Sequence, residues 1–204
     1  MATIPTKADD IIKDGKLLGA YAEELNHIVT RNYKPKNITE AKWTQIKSWL
    51  KNRPNWNGYT NIFKATADEI VEAATKIKNY RTANNLKGKN VGYLEGAVNG
   101  NTVDNKIWLS INLDRAKDEV HIFDAISVEG TNGGEWLRIT DSEYRMLNKL
   151  AEDLGAVKGG KYPNIKGELK IVSENPYCAS CTGIIQQFNE MFPNIKLVLV
   201  DGAK

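Results

Sequence analysis

At 204 residues the chain is long enough for one well-buried domain with an extension, or for two small domains. With 41% hydrophobic and 26% charged residues it has the composition of an ordinary globular protein, which excludes extensive disorder, and no apolar run approaches the roughly 20 residues that cross a bilayer. The net charge of +3 conceals an uneven split: residues 1–90 carry 16 Lys/Arg against 9 Asp/Glu, and residues 91–204 carry 12 against 16. The first ten residues, MATIPTKADD, contain no basic stretch followed by an apolar one, so a secretory signal peptide is not expected. The basic half also holds Tyr33, Trp43, Trp49, Trp56, Tyr59, Phe63 and Tyr80. Cations that neutralise phosphates beside rings that stack on bases suit single-stranded nucleic acid. The same residues equally suit a helical domain with tryptophans in its core and a solvated basic face.

Taken in order, the chain begins with helical patterns. Residues 7–28 space Ile11, Ile12, Leu17, Leu18, Tyr21 and Leu25 at helical intervals, interrupted by Gly15 and Gly19. Residues 37–50 open with Asn-Ile-Thr-Glu, a capping box, and place Trp43, Ile46, Trp49 and Leu50 on one face. The stretch NRPNWNG at 52–58 breaks the pattern. A third helix is expected over about residues 65–80, with Ile70, Val71, Ala74 and Ile77 inward.

From Asn90 the period changes. Residues 91–98 and 107–111 read as two strands of a hairpin turned at Asn99-Gly100, with a connection that extends to Asn105. Val120-His-Ile-Phe123 reads as a short third extended segment, and Gly130-Thr-Asn-Gly-Gly134 as a flexible loop. Helix is expected over residues 142–154, closed by Gly155 at its C-terminal cap. A strand at 167–172, a helix-like run at 182–191 and a last strand at 195–200 follow. Strands alternating with helices argue for an α/β layered domain.

Cys178 and Cys181 are the only cysteines, and they stand two residues apart, which rules out a disulfide framework. Between a strand and a helix they fall at the helix's first turn, where unpaired N–H groups and the helix dipole favour thiolate over thiol. Such a pair serves either a redox cycle or half a metal site. A thioredoxin-like motif has several strands after it, whereas 23 residues follow Cys181, so a metal is the stronger expectation.

The other informative spot is Thr140-Asp-Ser-Glu143, at the start of the preceding helix. Two consecutive helices joined through a strand can lie side by side on one face of a sheet, with their N-termini at the same edge. Asp141 and Glu143 would then face the cysteines. Asp141 would supply a third zinc ligand and leave the fourth position to water, the open arrangement of a catalytic site. Glu143 would exchange a proton with that water. Each motif also has a plainer use, since Thr140-x-x-Glu143 is a capping box and Asp141 a good N-cap. Of the two histidines, His27 and His121, the latter reads as a strand residue rather than a ligand.

An acidic ligand, one residue, a Glu at a helix start, then a strand and a Pro-x-Cys-x-x-Cys helix resemble the zinc-dependent deaminases, whose usual signature is H-x-E with P-C-x-x-C. More narrowly, ITDSEYRML at 139–147 with ENPYCASCTGIIQQF at 174–188 resembles the deaminase domains of bacterial polymorphic toxins, over about residues 68–200. Two positions depart from the usual signature: Asp141 stands where most deaminases have His or Cys, and Tyr177 separates Pro176 from Cys178.

The resemblance implies a cytidine deaminase-like α/β fold, a three-layer sandwich around a mixed sheet of about four to five strands. It divides the chain into a helical N-terminal region of unknown role, 1–65, and a catalytic domain, 66–204. It implies zinc held by Asp141, Cys178 and Cys181, with Glu143 as the catalytic acid–base. The implied reaction is hydrolytic deamination of cytosine to uracil in DNA, or in RNA, single strands being preferred because a paired base must first be flipped out. Ser127, Gly130, Trp136 and Tyr177 are candidate substrate contacts from their position alone. A monomeric toxin delivered by a bacterial secretion system into the target-cell cytoplasm, with a cognate immunity protein as partner, completes what the resemblance implies. A deaminase of free nucleosides or nucleotides, a non-catalytic zinc-binding interaction module, and adenine rather than cytosine as the target base stay open.

Overall fold

The computed structural model describes residues 58–129 and 135–203, together with Thr39, Glu40, Trp43, Thr44, Lys47 and Trp56. The helix expected over 7–28 lies outside the described residues. Of the one expected over 37–50, Glu40, Trp43, Thr44 and Lys47 are helical, Trp43 N–H donates to the Thr39 carbonyl at 2.9 Å, and the Trp43 ring is buried.

The sheet begins with a three-residue strand, β1 (Ile62–Lys64), which lies ahead of the boundary expected at residue 66. It was not legible by alternation because three residues show none. Thr66 then caps α1 (Ala67–Ala83) in a complete capping box with Glu69. Ile70, Ala73 and Ile77 face inward from this helix, whereas Val71, expected to do so, is 48% exposed. At 100° per residue Val71 follows Ile70 off the apolar stripe.

Strand β2 (Val91–Val98) turns at Asn99 and Gly100, both at positive φ as a tight hairpin requires, into β3 (Asn101–Thr102). The second strand expected at 107–111 is reduced to β4 (Trp108–Leu109), which pairs with the opposite end of β2, Val91 facing Leu109. A short helix α2 (Leu113–Ala116) follows. Residues 120–123 are not a strand: the N–H groups of Ile122 and Phe123 both donate to the buried Asn148 side chain, at 2.6 and 3.0 Å, which takes the place of a strand partner. A separate hairpin of β5 (Ser127–Glu129) and β6 (Glu135–Leu137) leads through a 3-10 turn (Arg138–Thr140) into α3 (Ser142–Asp153). Gly155, at φ +73°, ends α3 as expected. The chain closes with β7 (Lys166–Ser173), α4 (Ala179–Met191) and β8 (Asn194–Val200).

The main sheet runs β1-β8-β7-β2-β3, with β4 also paired to β2. β1, β8 and β7 are parallel, and β2 is antiparallel to β7, so the sheet is mixed. Alternation along its strands divides the core. Leu94, Leu169, Ile171, Leu197 and Leu199 pack against Met146, Leu147, Ile184, Ile185 and Phe188 of α3 and α4. Val91, Tyr93, Val172 and Val200 pack against Ile70, Ala73 and Ile77 of α1 on the other side. This is the α/β three-layer sandwich that the resemblance implied. No helix among the described residues is long and apolar enough to cross a membrane.

Candidate active site

Strand β7 feeds α4 and the 3-10 turn feeds α3, and the two helices pack side by side on one face of the sheet. Their first turns therefore meet at one edge. Cys178 is the N-cap of α4, and its sulfur accepts the Cys181 N–H at 3.4 Å. Asp141 is the N-cap of α3, but its carboxylate makes no capping bond to its own helix. It turns instead toward the cysteines, with Oδ2 3.4 Å from Cys181 Sγ and 3.6 Å from Cys178 Sγ, the two sulfurs being 3.2 Å apart. Arg138, in the preceding turn, donates from Nε to the same Oδ2 at 2.8 Å.

These three side chains can hold one metal ion, since their ligand atoms all lie within 4.8 Å of one another. Tetrahedral zinc with bonds of about 2.3 Å to sulfur and about 2.0 Å to oxygen would set S···S near ~3.8 Å and O···S near ~3.5 Å. The two O···S distances match this, and the S···S distance of 3.2 Å is shorter. In this arrangement the contact from Cys181, with the backbone N–H behind it, lowers the Cys178 thiol from its ordinary value. The same contact, burial and the nearby carboxylates hold Cys181 well above its own.

Glu143 lies two residues beyond Asp141 and is 2% exposed. Its Oε1 is 2.5 Å from Ser173 Oγ and accepts from Asn90 Nδ2 at 3.0 Å, while Oε2 accepts from Ser142 Oγ at 3.0 Å. Burial, with the Asp141 charge adding to it, pushes the Glu143 carboxyl above the ordinary carboxylate value. A buried carboxyl raised in this way, beside side chains that could hold a metal ion, is suited to exchanging a proton with a neighbouring group.

Sequence reasoning missed Asn90. Its Nδ2 also reaches Ser142 Oγ at 2.9 Å and Ser173 Oγ at 3.2 Å, and its Oδ1 accepts the Asn175 N–H at 3.1 Å, so one amide ties β2, α3 and the loop after β7 together. It missed Arg81 too. From the last turn of α1 this guanidinium grips Glu174 through two bonds, 2.6 and 2.5 Å, and also donates to the carbonyls of Leu86, Gly88 and Lys89. Both residues are isolated in the sequence: the pairing of β2 with β7 brings Asn90 here, and the packing of α1 on the sheet brings Arg81.

The candidate substrate contacts fall on two elements, Ser127 and Trp136 in the β5–β6 hairpin and Tyr177 just before α4. Ser127 is exposed at the start of β5, opposite Leu137, and Trp136 lies in β6 opposite Val128. Gly130 lies outside the described residues. Tyr177 is 5% exposed, its ring packed in the core and its hydroxyl donating to the Ile171 carbonyl at 2.7 Å. Its N–H donates to Asp201 Oδ2 at 3.3 Å. Burial holds the Tyr177 phenol well above its usual range. His121 is not among the metal-type ligands; its Nδ1 lies 2.9 Å from Tyr144 Oη, which donates to the Phe123 carbonyl.

No curated protein and no solved structure matches the chain. Among protein families, residues 60–202 match the toxin deaminases, described as the BURPS668_1122 family of deaminases. The match takes in β1 through β8, both helix N-termini and every residue of the site, and the chain belongs to this family of toxin deaminases.

Proposed function

We propose that this deaminase domain hydrolyses cytosine to uracil in DNA, with single strands preferred, using one zinc ion held by Asp141, Cys178 and Cys181. The observation that carries the proposal is the meeting of these three ligand atoms with Glu143 two residues away, buried and with its carboxyl raised above the ordinary value. Bound zinc supplies the Lewis acidity that activates a water molecule at neutral pH. Glu143 accepts a proton from the attacking water, then delivers protons to the ring nitrogen and to the departing amine, so that cytosine and water become uracil and ammonia. Asn90, Ser142 and Ser173 hold the Glu143 carboxylate by both oxygens and restrict it to one orientation. The β5–β6 hairpin runs directly into the turn before Asp141, which supports a role for Ser127, Gly130 and Trp136 in the wall of the base pocket, with Tyr177 fixing the backbone behind Cys178. Family membership supports a role as a toxin that acts inside a target cell and is neutralised in the producing cell by an immunity protein.

The test is incubation of the purified protein, and of a Glu143→Ala variant, with a single-stranded DNA oligonucleotide containing all four bases. A gain of about one dalton per converted base, abolished in the variant, is expected, and base-specific cleavage then identifies cytosine. A zinc-loaded protein that leaves the oligonucleotide unchanged overturns the DNA reading, and turnover of RNA or of free cytidine names the replacement.

A further inference from the structure

The donor set carries more negative charge than the ion it would hold. Asp141 and two thiolates sum to three negative charges against two positive on zinc, and in a buried site that excess is only weakly screened. Asp141 and Cys181 are 7% and 4% exposed. The cation that faces this excess is Arg138, bonded to Asp141 Oδ2 at 2.8 Å with its own side chain only 23% exposed. Oδ2 is also the oxygen that lies 3.4 and 3.6 Å from the two sulfurs. A carboxylate oxygen has two lone-pair directions, so one can receive the guanidinium while the other points between the sulfurs. The backbone sets up this arrangement. Arg138 N–H is anchored on the Ile126 carbonyl at 3.2 Å, and Asp141 N–H closes back on the Arg138 carbonyl at 3.4 Å, which holds the two side chains on one side of the 3-10 turn.

We propose that Arg138 is a positioning residue of the metal site, aiming Asp141 Oδ2 at the sulfurs and reducing the donor set to the net charge of two thiolates with a neutral third ligand. The inference rests on the zinc reading of the same site. Arg138 acts through Asp141, whose Oδ2 its Nε bonds. The Arg138–Asp141 pair thus behaves as one ligand of zero net charge, and either member without the other is a poor fit.

The experiment is zinc affinity of the full chain, by competition with a chromophoric chelator, for wild type, Arg138→Gln, Arg138→Lys, Asp141→His and the double variant Asp141→His/Arg138→Gln. Each is checked for folding by circular dichroism and thermal melting. Loss of a partner of a metal ligand costs about 10- to 100-fold in affinity, which is expected for Arg138→Gln. Arg138→Lys keeps the charge without the planar fork and recovers part of it. Asp141→His alone leaves the Arg138 charge beside a neutral ligand instead of the carboxylate it bonds, so the double variant binds zinc more tightly than this single one. Arg138→Gln within about twofold of wild type, or Asp141→His binding more tightly than the double variant, overturns the proposal. If Arg138→Gln does not fold, Arg138→Lys decides: several-fold weaker binding supports the proposal and wild-type affinity overturns it. A wild-type protein that binds no zinc removes the zinc reading itself, an outcome distinct from wild-type binding that is indifferent to Arg138.

Discussion

Two segments of this chain carry the same four-residue pattern at the start of a helix, Thr66 to Glu69 and Thr140 to Glu143. In the first, Thr66 is the N-cap and Glu69 the third helical residue, so each closes on the other's backbone and the box is complete. In the second the helix begins one residue later, because the 3-10 turn occupies Arg138–Thr140 and leaves Asp141 as N-cap. Glu143 is then the second helical residue and cannot reach back to its own cap. It points under β2 and β7, where Asn90, Ser142 and Ser173 receive it. The carboxyls consequently shift in opposite directions: the Thr66 backbone N–H lowers Glu69, while burial raises Glu143. Four residues specify where a helix starts, and a register step of one decides whether the carboxylate serves the helix or the chemistry.

Activity separates the two glutamates most widely. Glu143→Ala should lower the rate of deamination by about 10²- to 10⁴-fold, the usual worth of a general acid–base, while leaving zinc content unchanged. Glu69→Ala should leave turnover as it is. Equal losses from both substitutions in the oligonucleotide assay would sink the distinction. A second effect falls on stability. Arg81→Ala removes two charged bonds to the buried Glu174 and releases three carbonyls of the loop before Asn90. A destabilisation of about 2 kcal/mol is expected in urea unfolding, on the scale of hydrogen bonds to charged groups. Smaller again is the contrast between the two threonines. Thr66→Ala should cost about 1 kcal/mol as a lost N-cap, and Thr140→Ala less than about 0.5 kcal/mol, since Thr140 caps nothing. Matching costs would mean that both segments work as capping boxes.

The layered fold was legible because its parts announce themselves locally. The Asn99-Gly100 turn, the Gly155 cap and the apolar runs of β7 and β8 each need only a few neighbouring residues to be read. The meeting of Asp141, Cys178 and Cys181 was legible as far as it rests on helix starts, since all three are fixed by where α3 and α4 begin. What escaped depends on contacts between elements far apart in the chain. Asn90 meets Glu143 across 53 positions and Arg81 meets Glu174 across 93, and neither carries a pattern in its own neighbourhood. Residues 120–123 misled for the same reason: their alternation suits a strand, but Asn148 of α3 satisfies two of their N–H groups and no strand forms. Arg138 was passed over because i to i+3 pairing in a 3-10 turn cannot be told from a loop before the turn is known.

The opposite shifts of the two glutamates make opposite demands on pH, which neutral glutamine substitutions in the metal-free protein can read. Glu69 is lowered in the folded state, so it contributes stability above the ordinary carboxyl value of 4.5 and loses it as pH falls through its lower folded value. Glu69→Gln should therefore be less stable than wild type at neutral pH, with the gap closing in acid. The gap is small because the Glu69 side chain is 30% exposed and solvent screens it. Glu143 is raised, so the folded state still holds its proton after the unfolded chain has released its own. Wild type then loses stability as pH rises from about 4.5 to the higher folded value, and Glu143→Gln, which has no proton to lose, gains on wild type across that window. Melting temperatures across this pH range, taken with a chelator present, should show the two variants diverging from wild type in opposite senses. A Glu143→Gln curve that runs parallel to wild type would place the Glu143 carboxyl back among ordinary carboxylates, and the buried cage of Asn90, Ser142 and Ser173 would then offset its burial in full.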